Sequence, residues 1–64
     1  MNKFIKLTDE SGNEVHINPV FIESMSYQSD GTWVRTMSGR VRIVKETPDE
    51  IIKLIKKSDN YTIY

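Results

Sequence analysis

His16 is the one histidine in a 64-residue chain that holds no cysteine, so the cluster of imidazoles and thiolates that a zinc site requires is missing. Nucleophilic catalysis meets the same shortage. Serines are present, yet no acid is placed to orient His16 toward any of them. Asp9, Glu10 and Glu14 gather around one turn-forming stretch, which reads as a solvated hairpin tip, because paired-carboxylate chemistry needs a cleft that so small a core hardly encloses. The 3 glycines stand apart and form no phosphate-cradling loop. The expectation is a protein that is not an enzyme, with no metal, no cofactor and no small-molecule substrate.

Composition narrows the field further. Lysine and arginine total 9, aspartate and glutamate total 9, so the long-range field that draws in nucleic acid or an anionic membrane is lacking. No apolar run approaches the roughly 20 residues that span a bilayer, and Met1-Asn2-Lys3-Phe4 does not lead into a signal-peptide core. These features predict no membrane insertion and a cytoplasmic location, where a chain without cysteine is ordinary. One domain over residues 1–64 is expected. A chain of this length buries only about 60% of the surface it exposes when unfolded, which makes oligomerisation a natural supplement to its stability.

The elements follow from period and punctuation. Lys3 to Thr8 alternates, with Ile5 and Leu7 in phase, and Glu14 to Ile17 alternates with Val15 and Ile17 in phase. A common face for these four aliphatics requires an odd loop, so Ser11-Gly12-Asn13 is favoured, with Gly12 or Asn13 in the left-handed position. Asn18-Pro19 ends the second strand and suits the opening of a type I turn. A third strand runs from about Ile22 to Gln28. Asp30-Gly31 and Ser38-Gly39 read as two-residue hairpin turns, which together predict one inner face of Met25, Tyr27, Val34, Thr36, Val41 and Ile43.

Thr47 with Glu50 three residues on forms a capping box, and Pro48 occupies the first helical position. A helix near 48–57 is predicted, with Ile51, Ile52, Leu54 and Ile55 on its apolar side and lysines opposite. The tail, 58–64, alternates through Tyr61-Thr62-Ile63-Tyr64 and reads equally as a short edge strand, as a segment that pairs with a second copy, or as a frayed end. The fold class expected is α+β: a five-strand antiparallel β-meander over about 3–45, its sheet curled toward a barrel-like shape, closed by one C-terminal helix.

In that register the outer face carries Trp33, Arg35, Met37, Arg40 and Arg42, with Ser24, Ser26 and Val44 around them. Arg35 is expected directly across from Arg42, an opposition that costs about 0.2 to 1 kcal/mol unless an anion intervenes. The patch is both cationic and apolar. It suits a protein partner or self-association, and less well single-stranded nucleic acid; the alternative is that arginine stems simply cover the second face of the sheet.

The sequence also resembles a known family. Ile5-Lys6-Leu7-Thr8, Gly12, Val15-His16-Ile17-Asn18-Pro19 and Ile22-Glu23 are similar to the opening of the FlbD family of short flagellar and swarming-motility proteins. Thr32, Gly39 and Val44-Lys45-Glu46-Thr47 leading into Glu50-Ile51-Ile52 and Ile55 resemble its later half. Asp9 departs from the basic residue common after the Leu-Thr pair, and Trp33 from a usual β-branched residue. The resemblance implies a cytoplasmic accessory of the flagellar motor or of swarming, with no catalytic residues to carry over. A second resemblance, over roughly Val15 to Ile55, is to LytTR-type DNA-binding domains, which continue past the helix with further basic strands where this sequence ends at Tyr64. Nucleic-acid binding is therefore the alternative in a different class.

Overall fold

A computed structural model describes residues 4–58. β1 (Ile5–Thr8) and β2 (Glu14–Ile17) form a hairpin in which Ile5 faces Ile17 and Leu7 faces Val15. The loop is odd, as this phase demands, but it is Glu10-Ser11-Gly12 and not the expected Ser11-Gly12-Asn13: the Asp9 amide donates to the Asn13 carbonyl at 2.8 Å, and Gly12 takes the left-handed position at φ +90°. This slip of two residues keeps both strands' faces. The Asp9 carboxylate accepts from the amides of Ser11 and Asn13 at 2.9 and 2.8 Å, so this acid is spent on holding the turn.

Asn18 caps a single 3-10 turn, Pro19–Phe21, its side-chain oxygen accepting from the Val20 amide at 3.1 Å. This turn carries the chain away from β2 and does not fold it back as a hairpin. Here the structure departs from the expected single meander: β1 and β2 make a two-stranded sheet, while β3 (Ile22–Gln28), β4 (Gly31–Thr36) and β5 (Val41–Val44) make a three-stranded one in the order β3-β4-β5. There is no closed barrel among the described residues. The sheets share one core, of Ile5, Leu7 and Ile17 with Val34 and Val44, and are hydrogen-bonded at one corner, through the Asp9–Val44 bridge and the Lys45 amide, which donates to the Thr8 carbonyl at 2.8 Å.

Both tight turns of the larger sheet differ from expectation, with unequal consequences. Between β3 and β4 the turn is Ser29-Asp30, because Gln28 pairs with Gly31 and Met25 with Val34. That is a slip of two residues, and a strand of period two keeps its faces. Tyr27 is displaced to lie opposite Thr32 and, expected inside, stands 67% exposed. A bulge at Glu23 lets Ile22 and Met25, three residues apart, both pack against the core.

Between β4 and β5 the loop has three residues. The Thr36 amide donates to the Arg40 carbonyl and the Gly39 amide to the Thr36 carbonyl, each at 2.9 Å, with Gly39 at φ +90°. This is the turn that ends in a left-handed residue and a bulge. Its odd length flips β5: Thr32 pairs with Val44, Trp33 with Ile43, Val34 with Arg42 and Arg35 with Val41. Val41 and Ile43, expected inside, therefore share the face of Trp33, and Val44, expected outside, is fully buried.

α1 (Pro48–Ser58) begins as its sequence predicts. The Thr47 amide donates to Glu50 Oε1 at 2.9 Å and the Glu50 amide to Thr47 Oγ1 at 3.2 Å, a reciprocal cap worth about 1 kcal/mol. Ile51 is fully buried with Leu7, Val34 and Val44, while Leu54 and Ile55 pack at the core's margin. The apolar stripe is narrower than expected, since Ile52 is 41% exposed; it lies a further 100° round the helix from Ile51. Ser58, expected to begin the tail, closes the helix, and the rest of the tail, 59–64, lies outside the described residues.

Candidate functional site

The five residues singled out from the sequence do not form one patch. Trp33 and Arg35 remain together on the outer face of the three-stranded sheet, in a shallow depression with Ser24, Ser26, Gln28 and Val41. The indole N–H donates to Asp30 Oδ1 at 2.8 Å. That bond pins the ring to its own hairpin tip, and the Trp33 donor is already satisfied. Trp33 is 39% exposed and counts among the exposed large apolar residues.

Met37, Arg40 and Arg42 lie elsewhere. Arg42 is displaced from Arg35 by the three-residue turn: it pairs with Val34, while Arg35 faces Val41. The expected opposition of two arginines is therefore absent, and these two side chains are on opposite faces of β5 and β4. Arg40 precedes β5 by one residue and stands two residues from Arg42, on the same side as it.

What the structure builds instead is a cleft of about 610 Å³. One wall comes from the end of β2 and the 3-10 turn, through His16, Ile17, Asn18 and Phe21; the other comes from Arg40, Val41 and Arg42; the β4–β5 turn lies between them. Its position follows from the fold. The 3-10 turn keeps β2 and β3 from pairing, so the two sheets splay at this end, and the Met37 amide, donating to the Phe21 carbonyl at 2.9 Å, ties the two turns together.

The lining combines apolar and cationic side chains. Ile17 is buried, yet Phe21 is 54% and Met37 68% exposed, with Val20 beside them exposed as well. Among the described residues no carboxylate lines the cleft. His16 Nε2 is hydrogen-bonded to Glu14 Oε2 at 2.9 Å, with both side chains exposed. Arg40 and Arg42 have no acidic partner among the described residues. Sequence reasoning missed Phe21 and Ile17 as members of this site because their neighbours depend on which strands fail to pair.

No group of acids and histidines able to hold a metal ion occurs among the described residues. No helix among them is long and apolar enough to cross a membrane. The arrangement offers recognition: a groove with apolar side chains and two guanidinium groups that match carboxylate geometry.

Comparison with known proteins adds one finding. No curated protein and no solved structure matches the chain. A family model described as flagellar and swarming motility proteins matches residues 4–61. The matched stretch runs through both sheets and the helix. It includes Thr8 and Glu46, whose side chains join the start of the fold to its end: Glu46 Oε1 accepts from the Thr8 amide at 2.9 Å and Oε2 from the Thr8 hydroxyl at 3.0 Å. With nearly the whole of its 64 residues covered by that match, the chain belongs to the FlbD family of flagellar and swarming motility proteins.

Proposed function

We propose that this chain is a non-enzymatic accessory of flagellar or swarming motility that acts in the cytoplasm by binding another protein through the cleft between β2 and β5. The observation that carries this reading is the pairing of exposed Phe21 and Met37 with Arg40 and Arg42 in a groove that no acidic side chain among the described residues lines. A large exposed apolar patch rimmed by polar groups is a usual mark of a contact surface, and arginine and methionine are enriched in such surfaces.

The partner is a different protein in this reading. Two copies meeting cleft to cleft about a two-fold axis would bring their arginines toward one another, a like-charge contact that disfavours such a dimer. Nucleic acid is also the weaker reading. Arg35 and Arg42 sit on opposite faces, so these two arginines do not join in one basic stripe along a phosphate backbone.

The test is complementation of swarming in cells that lack the chain. A variant carrying both Arg40→Glu and Arg42→Glu should drop swarm expansion to the level of the empty control, while its thermal melt stays close to the parent's, since exposed substitutions usually shift stability by no more than about 0.5 kcal/mol. Arg35→Glu, on the far face, should swarm normally. Full swarming by the double variant, or its loss in Arg35→Glu alone, would contradict the assignment.

A further inference from the structure

Arg40 and Arg42 are two residues apart and point the same way, which sets their Cα atoms about 6.6 Å apart along an extended chain. They have no acidic partner among the described residues, and Glu14 is already engaged with His16. We infer that the cleft receives an extended acidic segment of the partner protein, in which carboxylates at alternate positions meet Arg40 and Arg42 while the intervening apolar side chains turn to the opposite wall at Ile17, Phe21 and Met37.

The inference rests on the reading above and adds the chemistry of the occupant. An extended segment fits because its own period is two: acids at i and i+2 repeat at the spacing of the arginines, and the residue between them points the other way. The two walls of the cleft differ in the same sense. Guanidinium groups come from the β5 side, together with Val41, while Ile17, Phe21 and Met37 come from the β2 side and the turns, together with His16 and Asn18. A segment alternating acid and hydrophobe satisfies both walls at once. A helix would present its same-side neighbours three and four residues apart, leaving one wall without its match. Phosphate would engage the arginines, but a nucleic-acid backbone brings nothing apolar to Phe21 and Met37, and the chain's net charge of zero gives it no long-range attraction.

Three capped synthetic peptides test this against the full-length, isotope-labelled protein by amide chemical-shift mapping. One alternates glutamate and valine, the second holds the same residues as a block of glutamates followed by a block of valines, and the third alternates lysine and valine. The alternating acidic peptide should shift the resonances of Phe21, Met37 and Arg42, and should bind about tenfold more tightly than the block peptide. The lysine peptide should leave the spectrum unchanged, and Arg40→Glu with Arg42→Glu should abolish the response. Several results would overturn the inference: equal binding of alternating and block peptides, no shifts at millimolar peptide, shifts centred on Trp33 and Arg35, or tighter binding of a duplex oligonucleotide at the same residues. Self-assembly of the protein alone, blocked by the double substitution, would instead make the acidic hairpin tip of a second copy the occupant. The swarming assay separates the two levels. If the double variant fails to swarm while no peptide binds, the cleft keeps its role and the acidic extended segment does not.

Discussion

Gly31→Ala should remove about 3 kcal/mol or more from a domain whose total stability, at this length, is roughly 3 to 10 kcal/mol. Two separate penalties meet at this position. Gly31 has φ +133°, a conformation that side-chain-bearing residues rarely adopt and that costs on the order of 1 to 3 kcal/mol when forced. In addition, a Cβ placed there would stand 2.6 Å from the backbone oxygen of Val44 and 3.2 Å from Ile43 Cγ2. The first contact is with backbone in the adjoining strand, so relief requires β5 itself to move. Val44 is fully buried and pairs with Thr32, which means the movement would open the core. The melting temperature should fall by about 12 °C or more, at roughly 4 to 8 °C per kcal/mol for so small a domain. Gly12→Ala is the control. It has φ +90° with nothing within 4 Å of the added carbon, so it carries strain alone and should cost roughly 1 kcal/mol. Equal losses at the two positions would show that the Val44 contact is not a constraint.

Glu46→Ala should have the second largest effect, about 2 to 4 kcal/mol, although Glu46 belongs to no strand or helix. Its carboxylate accepts from both the amide and the hydroxyl of Thr8, and its carbonyl accepts from the hydroxyl of Thr32, itself fully buried. Hydrogen bonds to an ionised acceptor contribute about 1.5 to 3 kcal/mol each, and stripping the partner from a part-buried amide adds the cost of leaving it unmade. The consequence extends beyond one residue. Among the described residues the backbone links between the two sheets lie at the Asp9–Val44 corner, beside this group, so its loss should loosen the β1–β2 hairpin from the larger sheet. Glu46→Gln should cost far less, because the amide oxygen still accepts from the Thr8 backbone and the hydroxyl can accept in turn. Lys45→Ala, next door and exposed, should be near neutral. Denaturant unfolding of the three variants checks the order, and a Gln variant as weak as the Ala variant would contradict it.

How much of this was legible depended on the range of each signal. The helix and its cap were visible because Thr47, Pro48 and Glu50 act on one another within four residues. β1 and β2 were visible because Ile5, Leu7, Val15 and Ile17 alternate without ambiguity, and the odd loop followed from them. The β4–β5 turn was not. Ser38-Gly39 serves equally in a two-residue turn and in a three-residue turn ending in a left-handed glycine, and the strand that would arbitrate, Val41-Arg42-Ile43-Val44, is apolar at three of its four positions. One residue of difference moved Arg42 and Val44 to the face of Val34. The slip at Asp30-Gly31 was harmless by contrast, since two residues restore the phase. The division into two sheets and the link from Glu46 to Thr8 were beyond pattern reading: the first depends on a pairing that the Asn18-capped turn prevents, and the second joins residues 38 apart in sequence.

The site shared that fate. Trp33, Arg35, Met37, Arg40 and Arg42 were chosen for being cationic and apolar, and the chemistry of the choice carries over to Met37, Arg40 and Arg42 in the cleft. Their separation from Trp33 and Arg35 is a matter of phase alone.

That phase can be measured in solution. Thr36 and Arg40 form a hydrogen-bonded pair, so the next pair, Arg35 with Val41, and then Trp33 with Ile43, are the non-hydrogen-bonded ones, whose α-carbons approach to about 4.5 Å. Nuclear Overhauser contacts between their α-protons should be strong for Arg35 with Val41 and for Trp33 with Ile43. Strong contacts from Thr36 to Val41 and from Val34 to Ile43 would mean a two-residue turn, return Arg42 to the side of Trp33, and dissolve the arginine pair on which the cleft depends.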